Sequence, residues 1–103
     1  MHAKAITGSY QRTRCDTVKS MSGLIGAGFI TTDGGPALTV KYARIEAEGQ
    51  VLRYTLDGST PTTTSGHRLA AGAMKTFTPS ELRTIKILEE TASGYASVTL
   101  FSS

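Results

Sequence analysis

The sequence predicts an all-β chain: a small Ig-like or jelly-roll-like antiparallel β-sandwich of five to seven strands, with an extended N-terminal arm and at most one short helical turn near residues 79–83. Three observations support that class. Val51 to Leu56 alternates Leu52, Tyr54 and Leu56 with Val51, Arg53 and Thr55, the period-2 pattern of a half-buried strand. Glycine is frequent at 11 residues, threonine is abundant, and the breaks Asp33-Gly34-Gly35-Pro36, Asp57-Gly58 and Ser65-Gly66 divide the chain into short segments. No stretch keeps apolar residues at helical spacing for long enough to build a helix of several turns.

Each element follows in order. Residues 3–7 predict a short strand. Gly8 to Ser22 is polar and basic without clean periodicity, and reads as an extended arm or long loop. Met21 to Ile30 is apolar but glycine-rich, which suits a strand with close backbone approach or a segment buried against a neighbour. Residues 1–32 are therefore expected as the arm and 33–103 as the sandwich domain. Ala37 to Glu48 reads as a strand with Leu38, Val40 and Tyr42 on one face. Glu48-Gly49-Gln50 joins it to the Val51 strand by a hairpin or a turn across to the second sheet. His67 to Ala70 returns as a strand, and Gly72 to Phe77 crosses over.

Thr78-Pro79-Ser80-Glu81 is a helix start: threonine as N-cap, proline at the first helical position and glutamate at the third. Ile85 to Leu88 is already strand-like, so one helical turn is expected. Glu89 to Gly94 is a turn. Tyr95 to Phe101 closes the chain as a strand, with Ala96, Val98 and Leu100 opposite Tyr95, Ser97, Thr99 and Phe101.

At 103 residues, 39% hydrophobic and 18% charged, the chain suits one domain with a small core. The net charge of +3 is uneven. Residues 1–32 hold Lys4, Arg12, Arg14 and Lys19 against Asp16, whereas the basic and acidic residues of 33–103 cancel. Such a segment is a solvated surface or an arm that docks on an acidic partner. Specific nucleic-acid binding is not expected, because the cations are few and Tyr10 is the one aromatic among them. Cys15 is the single cysteine, which fits a reducing compartment and leaves no disulfide framework. The N-terminus lacks the apolar run of a signal peptide, and Gly23 to Ile30 is far shorter than the ~20 residues of a membrane helix.

The search for chemistry points away from catalysis. His2 is terminal and His67 starts a strand, and no serine has the flanks of a nucleophile elbow. Two distant histidines and one cysteine do not make a metal site, and Asp33 and Asp57 lack the acidic run of a calcium loop. Gly26-Ala27-Gly28 resembles the start of a dinucleotide fingerprint, but Thr31 stands at the third glycine position. Cys15, beside Arg14, reads as inert. Glu46 and Glu48 share a strand face and, like Glu89-Glu90, read as solvated rather than as a glycosidase pair. No cofactor is expected. Tyr42 and Tyr54 fall in phase with core residues, so a sugar-stacking role for them is not expected.

The segment Arg53-Tyr54-Thr55-Leu56-Asp57-Gly58-Ser59-Thr60-Pro61-Thr62, followed by Ser65-Gly66-His67-Arg68-Leu69 and Gly72, resembles the R-Y-T-x-D-G-x-x-P-T signature of small virion proteins of tailed bacteriophages. It is also loosely similar to the Y-T-x-D-G-S-x-P turn of chitobiase-type β-sandwich modules. Ile85-Lys86-Ile87 and Ala96 to Phe101 fit the phage group, and the resemblance covers roughly residues 37–103. It implies structural turn roles for Asp57, Gly58, Pro61 and Gly66, and no catalytic residue. It implies a non-enzymatic structural protein located in the virion. The leading expectation is a capsid decoration (cement) protein that binds and stabilises the major capsid protein lattice and self-associates around a symmetry axis. A head-to-tail connector or tail component is the alternative, and a carbohydrate-binding module the second. On this reading Lys4, Tyr10, Arg12, Arg14 and Lys19 are expected to anchor the arm through polar contacts. Leu24, Ile25, Phe29 and Ile30 are expected to dock it through apolar ones. No membrane association is expected.

Overall fold

The computed structural model describes residues 4–31 and 35–102 and forms two antiparallel sheets packed face to face. The strands, in order, are β1 (Lys4–Ala5), β2 (Gln11–Arg14), β3 (Lys19–Ser20), β4 (Tyr42–Glu48), β5 (Leu52–Thr55), β6 (His67–Leu69), β7 (Met74–Phe77), β8 (Lys86–Glu89) and β9 (Tyr95–Ser102). Sheet A runs β1-β9-β4-β7, with β2 also on β9; sheet B runs β3-β8-β5-β6. The all-β sandwich expectation holds. The links β4 to β5, β6 to β7, β7 to β8 and β8 to β9 all change sheet, so Glu48-Gly49-Gln50 is a crossing turn rather than a hairpin.

The alternation of the sequence builds the core. Ala43, Ile45 and Ala47 of β4 and Ala96, Val98 and Leu100 of β9 point inward from sheet A. Leu52 and Tyr54 of β5, Leu69 of β6 and Ile87 of β8 are buried from sheet B. Phe77 is fully buried and pairs in register with Ala43, so a large side chain fills the space beside a small one. Tyr54 meets the Phe77 ring edge-on, with centroids 5.5 Å apart and planes at 83°.

The expected helical turn is α2 (Pro79–Thr84). (The earlier turn Met21–Leu24 is α1.) Thr78 Oγ1 accepts from the Glu81 amide at 3.2 Å, and Glu81 Oε1 accepts from the Thr78 amide at 2.8 Å, a complete capping box. Leu82 anchors the turn in the core, and extended backbone at Ile85 ends it.

Three expectations are corrected. First, residues 1–32 are not an arm over their described part. β1 and β2 line the free edge of β9, β3 pairs with β8, and Cys15, Met21, Leu24 and Ile25 lie in the core. The boundary at 32/33 therefore does not separate an arm from a body. The physical reason is that β9 and β8 each need an edge partner, and the N-terminal segment supplies both. Nine strands result among the described residues, more than the five to seven expected, because these edge pieces are as short as two residues. Second, Met21 to Ile30 forms α1 and a 3-10 turn at Ala27–Phe29 rather than a strand. Third, the phase of β4 is reversed. The turn at Ala37–Val40, closed by Val40 N to Ala37 O at 2.9 Å, leaves Leu38 89% exposed and sends Tyr42 outward. His2, Asp33 and Gly34 lie outside the described residues.

Candidate interaction surface

The signature segment resolves into a braced turn. Asp57 accepts from the Ser59 amide at 3.0 Å and from the Ser59 hydroxyl, which holds its carboxyl below the ordinary range. Gly58 sits at φ +85°, in the left-handed region that a side chain would disfavour. Pro61 is buried, and Gly66 at φ +116° packs so closely that an added Cβ would lie 3.2 Å from Tyr54 O and 3.3 Å from Pro61 Cβ. Arg53 ties both ends together, donating to Gly66 O at 2.9 Å and to Glu90 at 2.9 Å. Arg68 joins the same carboxylate, which is held below the ordinary range mainly by that hydrogen bond. A recess of about 540 Å³ lies over this turn, lined by Thr55, Leu56, Asp57, Ser59, Gly66 and His67. It is open to solvent, and the Ser59 hydroxyl is engaged by Asp57 rather than by His67.

The outer face of sheet A carries a different chemistry. Tyr42 and Phe101, opposite each other on β4 and β9, stack with centroids 4.7 Å apart and planes within 9°. The Arg44 guanidinium lies 4.8 Å from the Phe101 ring. At the far end of the same two strands, Arg12 lies 3.7 Å over the Tyr95 ring and donates to Glu48 at 3.2 Å. Glu48 also accepts from Ser97, and the Tyr10 hydroxyl stands 3.4 Å from the Ser97 hydroxyl. Aromatic and arginine side chains on an exposed sheet face are the residue types that concentrate binding energy at protein interfaces.

The expected anchoring residues divide into three groups. Lys4 and Tyr10 are exposed and Lys19 is half-buried. Arg12 and Arg14 are neutralised within the chain. Arg14 makes two bonds to Glu89, at 2.8 and 3.3 Å, which raises the guanidinium's pKa and lowers the carboxyl's. Of the expected apolar docking set, Leu24 and Ile25 are each 1% exposed and face inward, whereas Phe29 and Ile30 pack against the core and stay half-buried. The two arginines therefore tie β2 to the ends of β4, through Glu48, and of β8, through Glu89. Cys15 is buried and its thiol is pushed up to about 11, chiefly by burial, which keeps it protonated and unreactive at neutral pH. Among the described residues no three His, Cys, Asp or Glu side chains gather as a metal-holding group.

Sequence reasoning missed the Tyr42–Phe101–Arg44 cluster. The signal was present in Tyr95 and Phe101 at the two ends of the outward set of the last strand; the β4 phase error hid its partner. Compared with protein-family models, curated proteins and solved structures, the chain matches none.

Proposed function

We propose that this chain is a non-enzymatic structural protein of a tailed-bacteriophage virion, acting as a decoration protein that binds the major capsid protein lattice. The observation that carries the reading is the fate of the signature residues. Arg53, Asp57, Gly58, Pro61 and Gly66 are all consumed in bracing one turn of a rigid sandwich, and the exposed chemistry is a sheet face of aromatic and arginine side chains. A protein of this kind works by presenting a stiff surface, and repeated weak contacts around a symmetric shell add to a strong attachment. Lys4, Tyr10 and Lys19 are the remaining N-terminal anchors. A connector or tail position uses the same properties at a different place in the particle.

Co-sedimentation with expanded capsids tests the proposal. The wild-type chain pellets with capsids, and the Lys4→Glu/Lys19→Glu variant pellets less at low salt. Absence of the chain from the capsid pellet at saturating concentration defeats the decoration reading. A glycan-binding module is the second reading, favoured by the outward Tyr42–Phe101 pair. Retention on insoluble chitin, lost in Tyr42→Ala, would support it.

A further inference from the structure

We propose that the outer face of sheet A is the contact surface of a two-fold symmetric dimer, with a second copy of this chain as its occupant. The inference deepens the virion reading, in which self-association is expected: it gives the sheet face to a second copy and leaves Lys4 and Lys19 to meet the capsid, and its test reads the chain alone, so it holds or fails apart from capsid binding. Its basis is the pattern of charge and aromatic groups on β4 and β9.

In the register of sheet A, Ile45 is opposite Val98 and also opposite Lys75. Arg44 and Glu46 flank that level on β4, on the outward side. Among the described residues neither forms an ion pair, although Arg12, Arg14, Arg53 and Arg68 all do. Phe101 and Tyr95 flank the same level on β9, each three positions away.

Consider a two-fold axis lying flat on this face, crossing the strands at the Ile45–Val98 level. It carries position 44 onto 46 and position 101 onto 95. Arg44 then meets Glu46 of the second copy, and Glu46 meets Arg44. Phe101, with Tyr42 stacked on it, meets Tyr95 with Arg12 stacked on it. Thr99 meets Ser97. Like charges are not brought together at the centre, Phe101 finds Tyr95, and Tyr42 falls on Glu48 of the second copy. This is the self-complementarity an isologous interface requires.

The face is large enough. Its columns are β9 with eight residues, β4 with seven, β7 with four, and β1 and β2 end to end with two and four, so it spans roughly 400 Å² at about 4.8 Å per strand and 3.3 Å per residue. Side-chain relief brings this toward the ~800 Å² per partner of a stable complex. Exposed Met74, at 59%, extends the apolar part beyond β4 on the β7 side.

The test is a charge reversal read by sedimentation equilibrium, with circular dichroism and thermal melts confirming that each variant is folded. The wild-type chain is dimeric. Arg44→Glu and Glu46→Arg each weaken the dimer by about tenfold or more, a loss of two reciprocal charge contacts. Arg44→Glu combined with Glu46→Arg restores it, because the reversed charges again meet across the axis. A wild-type chain that remains monomeric at high micromolar concentration overturns the proposal and leaves the face to a different protein. A dimer that tolerates both single reversals, or one that the double reversal fails to restore, overturns it as well.

Discussion

The side chain of Ser9 occupies the place of a backbone group opposite Leu100. Its hydroxyl accepts from the Leu100 amide at 3.1 Å and donates to the Leu100 carbonyl at 3.3 Å. Ser9 is 3% exposed and lies where the edge of β9 passes from β1 to β2. The Leu100 carbonyl has a second donor in the Ile6 amide at 2.8 Å, whereas the Leu100 amide depends on Ser9. Ser9→Ala therefore leaves a buried N–H unpaired, at a cost of about 1–3 kcal/mol. Urea denaturation should show that loss, and amide exchange at Leu100 should quicken beyond the global change.

The Arg14–Glu89 pair and the Arg53–Glu90–Arg68 cluster predict a defined acid limb. Glu89 and Glu90 both have folded pKa values below the ordinary 4.5. A lowered folded value means that the stabilisation is fully present above the unfolded value and is lost as pH falls through the folded one. Thermal melts should therefore drop below about pH 4.5. Glu89→Gln should flatten that decline while lowering stability at neutral pH. Cys15 sets the alkaline counterpart. Its thiol is raised from 9.0 to about 11, so stability should fall as pH climbs from the first value through the second, and Cys15→Ala should remove that slope.

Core packing is tested at Phe77. It is fully buried against Ala43 and Tyr54, so Phe77→Ala should cost about 3–5 kcal/mol. Ile45→Val, which removes one methyl group from an equally buried position, should cost about 0.5–1.5 kcal/mol. Chemical denaturation of the two variants checks the order.

The signature turn predicts a contrast between two glycines. Gly58→Ala meets no neighbouring atom, so its penalty is the left-handed backbone alone, about 1–2 kcal/mol. Gly66→Ala pays a similar backbone penalty and also crowds Tyr54 O and Pro61 Cβ, so it should be the more destabilising of the two. Thermal melts of the pair settle the order.

Legibility in the sequence tracked how local each cause is. The β5 alternation, the capping box at Thr78 and Glu81, and the turn roles of Asp57, Gly58, Pro61 and Gly66 are decided within a few residues, and all were readable. The strand phase at Tyr42 was not, because the turn at Ala37–Val40 breaks the alternation where composition gives no sign of it. The N-terminal segment was the least readable part. Lys4–Ala5 and Lys19–Ser20 are too short to show a period, and their pairing is imposed by the distant strands β9 and β8, with Lys4 opposite Ser102 and Lys19 opposite Ile87. The same distance hid Arg14 and Glu89, whose charges look free in sequence and neutralise each other in the fold. What remained visible of a surface was the aromatic pair at the ends of β9, without the β4 residues that complete it.

The central claim is that this rigid, turn-braced sandwich serves as a part of a virus particle. Quantitative mass spectrometry of phage particles purified from a lysate in which the chain is expressed tests that claim most directly. The account predicts the chain in the particle, in a fixed ratio to the major capsid protein. Its absence from purified particles, with the chain abundant in the infected-cell lysate, would contradict the account.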